Sequence, residues 1–228
     1  MRLKKSIENA TYDRDYFHGI GSCYPKSGYE TGKHEYQKRP VRFVLRKKGA
    51  GIKWLDVGCA YGILVNFALA NGINAYGMDI SEYAISEGKK LFPKISDRLF
   101  VCDCNGALKL FSRGYFDVVS MIEILEHLPN PKKSLTIVTQ ILKIGGFMII
   151  KTPTPANPKK ERDATHISVK PVNYWTSILR ELGYQVKAPY FPDEPKYFHG
   201  WIAECWRLVL AQAHKMKYKD VWILAIKL

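Results

Sequence analysis

"LDVGCAYG", residues 55–62, joins a short apolar run to a segment of helical spacing through an acid, two glycines and a cysteine. Upstream, "KWLDV" (53–57) reads as a buried strand, and downstream "YGILVNFALANG" carries apolar residues at helical intervals and stops at Gly72. A strand that turns through glycines into a helix is the opening unit of a doubly wound α/β sheet, where ligands sit at the carboxyl ends of the strands. Gly58 and Gly62 let a bound molecule approach the backbone there.

Outward from this stretch the alternation repeats. "NAYGMDI" (74–80) is a second strand, Ser81 stands where a helix N-cap belongs, and Glu82 occupies a first turn whose dipole favours an acid. That helix runs through "EYAISEGKKLF" to Pro93. "RLFVCD" (98–103), "FDVVSM" (116–121) and "GFMIIKT" (146–152) are three more apolar strands, with a helix over 131–143 before the last. Strands separated by helices of this length imply right-handed crossovers and a parallel sheet covered on both faces. In the tail, "PVNYWTSILRELG" (171–183) reads as a helix, "YQVKAPYF" as a strand, "WIAECWRLVLAQAHK" as a helix and "DVWILAIKL" (220–228) as a final strand. The expected fold class is α/β, a doubly wound, mostly parallel sheet of seven strands. Residues 1–50, with Tyr12, Tyr16, Tyr24, Tyr29 and Tyr36 among glycines and charges, show no strand pattern. They are expected to form an extension lying over the sheet of a single domain at 51–228.

Composition agrees with one folded domain: 228 residues, 46% hydrophobic and 25% charged. No apolar run approaches the ~18 residues that would span a bilayer, and "MRLKKSIENATYDRDYF" lacks the apolar stretch of a signal peptide. A cytoplasmic protein without membrane insertion is the expectation. Five cysteines, an odd number, do not read as a disulfide framework, and the Cys102, Cys104 pair has no second cluster at zinc-ligand spacing, so no metal is expected. The formal net charge of +14 is dispersed in pairs such as Lys47-Lys48 and Lys132-Lys133. Dispersed pairs describe a solvated surface first and a nucleic-acid partner second.

Two ligand classes compete for the turn. A dinucleotide needs G-x-G-x-x-G to seat its pyrophosphate on the helix N-terminus, whereas this chain has G-C-A-Y-G with Asp56 two residues ahead of the first glycine. A carboxylate there would repel a pyrophosphate and suits a cationic ligand better. With these residues in place, the sequence resembles the class I S-adenosylmethionine-dependent methyltransferases. "LDVGCAYG" is similar to their first motif, "GMDIS" to the acidic end of their second strand, "VCDC" to the element facing the adenine and "FDVVSMIEILEHL" to their fourth strand and following loop. "LKIGGFMIIKTP" resembles their turn and fifth strand, and "DVWILAIKL" their antiparallel last strand, giving a Rossmann-like methyltransferase fold with 51–228 as catalytic domain.

The resemblance implies S-adenosyl-L-methionine as cofactor. Gly58 and Gly62, with the backbone of Cys59, Ala60 and Tyr61, would line its methionine portion, and Asp56 would face its ammonium directly or through water. Asp79 would accept both ribose hydroxyls, Ile80 would pack on the adenine, Asp103 would accept the adenine amino group beside the backbone of Cys104, and Met121 and Ile122 would stand near the sulfonium. Each acid also has a plain structural use: Asp56 and Asp103 as turn acids, Asp79 as a partner of the helix after Ser81. Ala60 stands where the family often has glycine, and ordinary φ is expected there.

Methyl transfer is an in-line displacement, and holding acceptor and methyl in contact is worth up to ~7–11 kcal/mol. An amine acceptor needs no base, but a hydroxyl does. His166, in "DATHIS" beside Asp163, is the first candidate for that base, and His127, in "LEHL", the second, with a packed role favoured for the latter. Glu123 and Glu126 read as structural charges, and Tyr24, Tyr29, Trp175 and Trp201 as candidates to shape the acceptor pocket or as core. "MIEI" stands where base methyltransferases carry an N-P-P-Y-type tetrapeptide. The first reading is therefore a methyltransferase acting on a small-molecule hydroxyl or amine. An RNA or protein methyltransferase using the basic surface and a non-catalytic cofactor-binding regulator are the alternatives.

Overall fold

The computed structural model describes residues 11–31, 34–157, 163–188 and 220–228. Seven strands among them form one sheet in the order β3-β2-β1-β4-β5-β7-β6. These are β1 (Lys53–Val57), β2 (Asn74–Asp79), β3 (Leu99–Val101), β4 (Phe116–Ile122), β5 (Leu142–Pro153), β6 (Tyr184–Lys187) and β7 (Asp220–Lys227). Strands β1 to β5 run parallel, and β7 lies antiparallel between β5 and β6. The chain reverses direction across the sheet between β1 and β4, so the carboxyl ends of β1, β2 and β4 open onto a crevice that side chains can line.

The described helices are α1 (Arg14–Phe17), α2 (Glu35–Lys48), α3 (Ile63–Ala70), α4 (Glu82–Leu91), α5 (Ala107–Leu110), α6 (Pro131–Ile141) and α7 (Val172–Glu181). Ser81 caps α4 by accepting the Ala84 N–H at 3.0 Å, and Asn130 caps α6 through Lys133 N–H at 3.1 Å. Two apolar layers follow from the pleat of the sheet. One face buries Leu55, Val57, Val119, Met121 and Trp175, and the other buries Trp54, Val118, Leu64 and Val65.

Several boundaries differ from those read in the sequence. Strand β3 is only three residues long, because Asp103 leaves it to cap a 3₁₀ turn. Helix α6 ends at Ile141, and Leu142 already pairs with Phe116; a bulge then carries the chain to Phe147 opposite Val118. Helix α2 has no counterpart in the sequence reading, which was led astray by Pro40 inside it and by its charge. Its Val41, Phe43 and Val44 share a buried cluster with Trp54 and Leu64, so residues before 50 contribute to the core of the sheet domain. Trp175 is fully buried there, away from any pocket. The expected helix at 201–215, with Trp201, and the strand residues beyond 188 lie outside the described residues.

Candidate active site

Three backbone turns build the floor of a cavity of about 680 Å³ at the carboxyl ends of the strands. After β1, Gly58 and Gly62 both adopt φ of 75°, and the N–H groups of Gly58 and Cys59 donate to the Met78 carbonyl at 2.8 and 3.1 Å. A Cβ on Gly58 would come within 2.8 Å of Ile124 Cδ1, so only glycine keeps the cavity wall open there. Ala60 is left-handed, with φ of 47°, contrary to the ordinary conformation expected. The reason is non-local: its N–H donates to Asp79 Oδ2 at 2.8 Å across the strand ends. Ala60 and Glu123 (φ 55°) are the only non-glycine residues at positive φ among the described residues, and both face the cavity. Backbone strain is thus concentrated at the site, at about 1–2 kcal/mol per residue.

Asp79 ends β2 on the cavity wall. Its Oδ1 accepts the Ser81 N–H at 2.9 Å and its Oδ2 that of Ala60, with the Ile80 N–H as a third donor to the carboxylate, which keeps acceptor capacity to spare. Burial pushes its carboxyl above the usual carboxylate range, and the Ser81 and Ala60 N–H groups pull it back. Asp103 uses a single oxygen, Oδ1, to cap the turn, accepting from Asn105 N–H at 2.5 Å and Gly106 N–H at 3.0 Å. Ile80, Cys104 and Ile122 are also on the wall.

Other expected residues are not on the wall. Asp56 shares a sheet face with Trp54 and lies beside Ser120 of β4, whose hydroxyl donates to its Oδ1 at 2.6 Å; Trp54 Nε1 in turn donates to Ser120 at 2.7 Å. It is 5% exposed and does not line the cavity, and burial pushes it up to about 7. Cys59, Tyr61, Gly62 and Met121 are likewise buried behind the wall.

The roof comes from the first 40 residues. Tyr12, Tyr16, Tyr24, Tyr29, Tyr36 and Gln37 all line the cavity, packed mostly edge to face; Tyr12 and Tyr16, for example, stand 5.0 Å apart. Burial pushes the Tyr12 hydroxyl up to about 12 and raises Tyr16, Tyr24 and Tyr29 as well, so the roof is neutral. These five tyrosines fall within 25 positions of the segment expected to lie over the sheet.

The far end of the cavity is made of side chains. His127 lies on the wall, while His166, the first candidate, packs behind it, ring centroids 4.8 Å apart. His127, the second candidate, and not His166 is thus the ring that meets the cavity. Thr165 donates to Asp163 Oδ1 at 2.5 Å, so its oxygen accepts from His127 Nδ1, 2.8 Å away, leaving Nε2 with the lone pair. Burial and the neighbouring His166 pull the His127 imidazole down to about 4, keeping it neutral. Asp163 also accepts from the Tyr16 hydroxyl at 3.2 Å, tying the roof to this end. Glu126 is fully buried, its Oε2 accepting from Thr152 at 3.0 Å, and burial pushes it up to about 8. Glu123 is paired with Lys151, which also contacts Asp220 at 2.8 Å.

S-adenosylmethionine fits this arrangement. It offers a vicinal diol, an amino donor and two cationic groups, and the wall offers spare carboxylate lone pairs at Asp79 and Asp103 beside the open backbone at Gly58. Fold and cavity together define a class I S-adenosylmethionine-dependent methyltransferase. Residues 29–188 match the methyltransferase domain model, and the chain belongs to that family, whose cofactor is S-adenosylmethionine. The ubiquinone biosynthesis O-methyltransferase of Dechloromonas aromatica strain RCB is 33% identical over 114 residues, 48% of this chain and 47% of that one. The chain spans about half the length of the curated relatives it matches. Among solved structures, a SAM-dependent methyltransferase from Archaeoglobus fulgidus superposes with a TM-score of 0.66 at 23% identity, covering 87% of this chain and 96% of that one. Phosphoethanolamine N-methyltransferase 2 of Haemonchus contortus, solved with S-adenosyl-L-methionine, gives 0.63 at 18% identity over 94% and 59%. These two likenesses show the fold.

Proposed function

We propose that this protein methylates a hydroxyl group of a small organic acceptor. The observation that carries this reading is the closed end of the cavity. Neutral His127 presents Nε2 there, backed by the Thr165 and Asp163 relay, under a roof of uncharged tyrosines. A hydroxyl must shed a proton to attack, so an end built around an oriented imidazole suits oxygen better than nitrogen. The O-methyltransferase name of the relatives points the same way. Enclosure on this scale admits a small molecule, and the dispersed basic pairs leave the RNA alternative without a surface focused on the cavity.

Bound S-adenosylmethionine supplies an electrophilic methyl group. Asp79 would hold the ribose, Asp103 the adenine amino group and Gly58 the close backbone approach, while Ile80 and Ile122 supply apolar wall. His127 would mark the position of the acceptor oxygen. Tyr12, edge-on to His127 at 5.9 Å, and Tyr16 cover that position and exclude water. The test is transfer of labelled methyl from S-adenosylmethionine to matched panels of phenols, aliphatic alcohols, amines and RNA. Labelling confined to hydroxyl acceptors is expected; labelling of amines or RNA alone would overturn the reading.

A further inference from the structure

One group of side chains at the His127 end has chemistry that methyl transfer by an imidazole alone does not use. Glu126, His127 and His166 offer ligand atoms that all lie within 4.8 Å of one another. They come from two segments clamped together by the Ser168 N–H, which donates to the Glu126 carbonyl at 2.8 Å. We propose that these three residues hold a divalent first-row transition-metal ion whose open coordination positions face the cavity and take the acceptor's oxygen. The proposal rests on the hydroxyl reading above for the identity of that oxygen, and it refines the part His127 plays.

Three observations on different atoms converge. Glu126 is 0% exposed, yet among the described residues Oε1 has no hydrogen-bond partner, and the buried Nδ1 of His166 has none there either. Two unsatisfied polar atoms buried in one place are costly, and native interiors rarely tolerate them without a reason. A cation between them would satisfy both. Next, a buried carboxylate stands on the outer side of both rings, where the second nitrogen of a ligating histidine commonly finds its support. Asp163, itself buried, stands 3.8 Å from Nε2 of His166 and reaches Nδ1 of His127 through Thr165. This leaves Nδ1 of His166 and Nε2 of His127 for the ion. Finally, His127 and Thr165 are on the cavity wall while Glu126 and His166 lie behind it, so an ion held by all three would be reached from the acceptor side.

Two imidazoles and one carboxylate select Zn²⁺, Co²⁺, Fe²⁺ or Mn²⁺ over Mg²⁺ and Ca²⁺, which prefer all-oxygen shells. At metal–ligand distances of ~2.0–2.2 Å the donors would stand roughly 3.3 Å apart, so the side chains draw in by about an ångström. An ion with three protein ligands keeps a position for a hydroxyl oxygen and makes that hydroxyl more acidic.

The untagged full chain, stripped with a chelator, is titrated with Co²⁺ and followed by calorimetry and by the visible absorption of the bound ion. One equivalent should bind with the spectrum of a mixed nitrogen and oxygen shell, and Mg²⁺ should not compete. Glu126→Gln and His166→Ala should each weaken Co²⁺ at least ~100-fold, with S-adenosylmethionine affinity within twofold of the unchanged protein as proof of folding. Equal Co²⁺ affinity in the unchanged protein and both folded variants, or no binding at all, would overturn the site and leave Glu126 a protonated core acid. Tight Co²⁺ binding without turnover of any hydroxyl acceptor would uphold the site and remove the hydroxyl reading instead.

Discussion

The two ends of the cavity are built by different means. At the β1 and β2 end the work is done by backbone: turn N–H groups fix Asp79 and Asp103, and a glycine clears the approach. At the His127 end it is done by side chains from segments 38 residues apart, Thr165 and His127, joined through Asp163. A backbone site tolerates variation in the side chains around it and accepts one shape of ligand. A side-chain site can be retuned residue by residue, which is the division of labour expected when one ligand is fixed and the other varies within a fold.

The largest effect that would break this contrast is at His127. His127→Ala should lower turnover by ~10²–10⁴ and leave S-adenosylmethionine affinity within a few-fold; steady-state kinetics beside calorimetry would show it. A matching loss of cofactor affinity would mean that the two ends are one site. Asp79→Ala should do the reverse, weakening S-adenosylmethionine about a hundredfold through two lost charge-assisted bonds of ~1.5–3 kcal/mol each. Binding isotherms on a variant shown to be folded decide the point, and unchanged affinity would return Asp79 to a turn-stabilising role.

Asp56 sharpens the comparison from below the floor. Its carboxyl is raised in the folded protein to about 7 from 3.8, so the unfolded chain ionises first as pH rises. Stability contributed by the neutral form is full below about pH 4 and lost by about pH 7. Asp56→Asn keeps an acceptor for Ser120 and removes that loss, so it should stabilise by on the order of 2 kcal/mol at pH 8 and by almost nothing at pH 4. Urea melts at the two pH values would reveal it; equal shifts would show that Asp56 is ionised throughout. The smallest effect belongs to Ala60→Gly, which should relieve the left-handed strain and add about 0.5–1 kcal/mol. A rise of a few degrees in thermal midpoint is the expected reading.

What the sequence disclosed follows the same division. The alternation of strands and helices was legible from spacing, while Gly58, Asp79, Ile80 and Asp103 lie within contiguous motifs whose resemblance to a family pointed to them. Asp56 was misplaced because both faces of a central parallel strand are buried, so the period of two gives no sign of which way a side chain points. The left-handed Ala60 depends on a bond to a residue 19 positions on, and which of His127 and His166 meets the cavity on how a loop settles over Glu126. Such pairings leave no local pattern, whereas helix α2 carries one, with Gln37, Pro40, Val41 and Val44 at helical spacing, that a proline in its midst disguises.

The bond from the Tyr16 hydroxyl to Asp163 joins residues 147 positions apart. During synthesis the roof residues leave the ribosome first, and the group that latches them leaves far behind, after every parallel strand of the sheet. Joining ends so far apart carries the loop-closure entropy of the intervening chain, and the latch can form only after the strands that carry the floor have been made. A nascent chain stalled before residue 163 would carry its tyrosines without that latch.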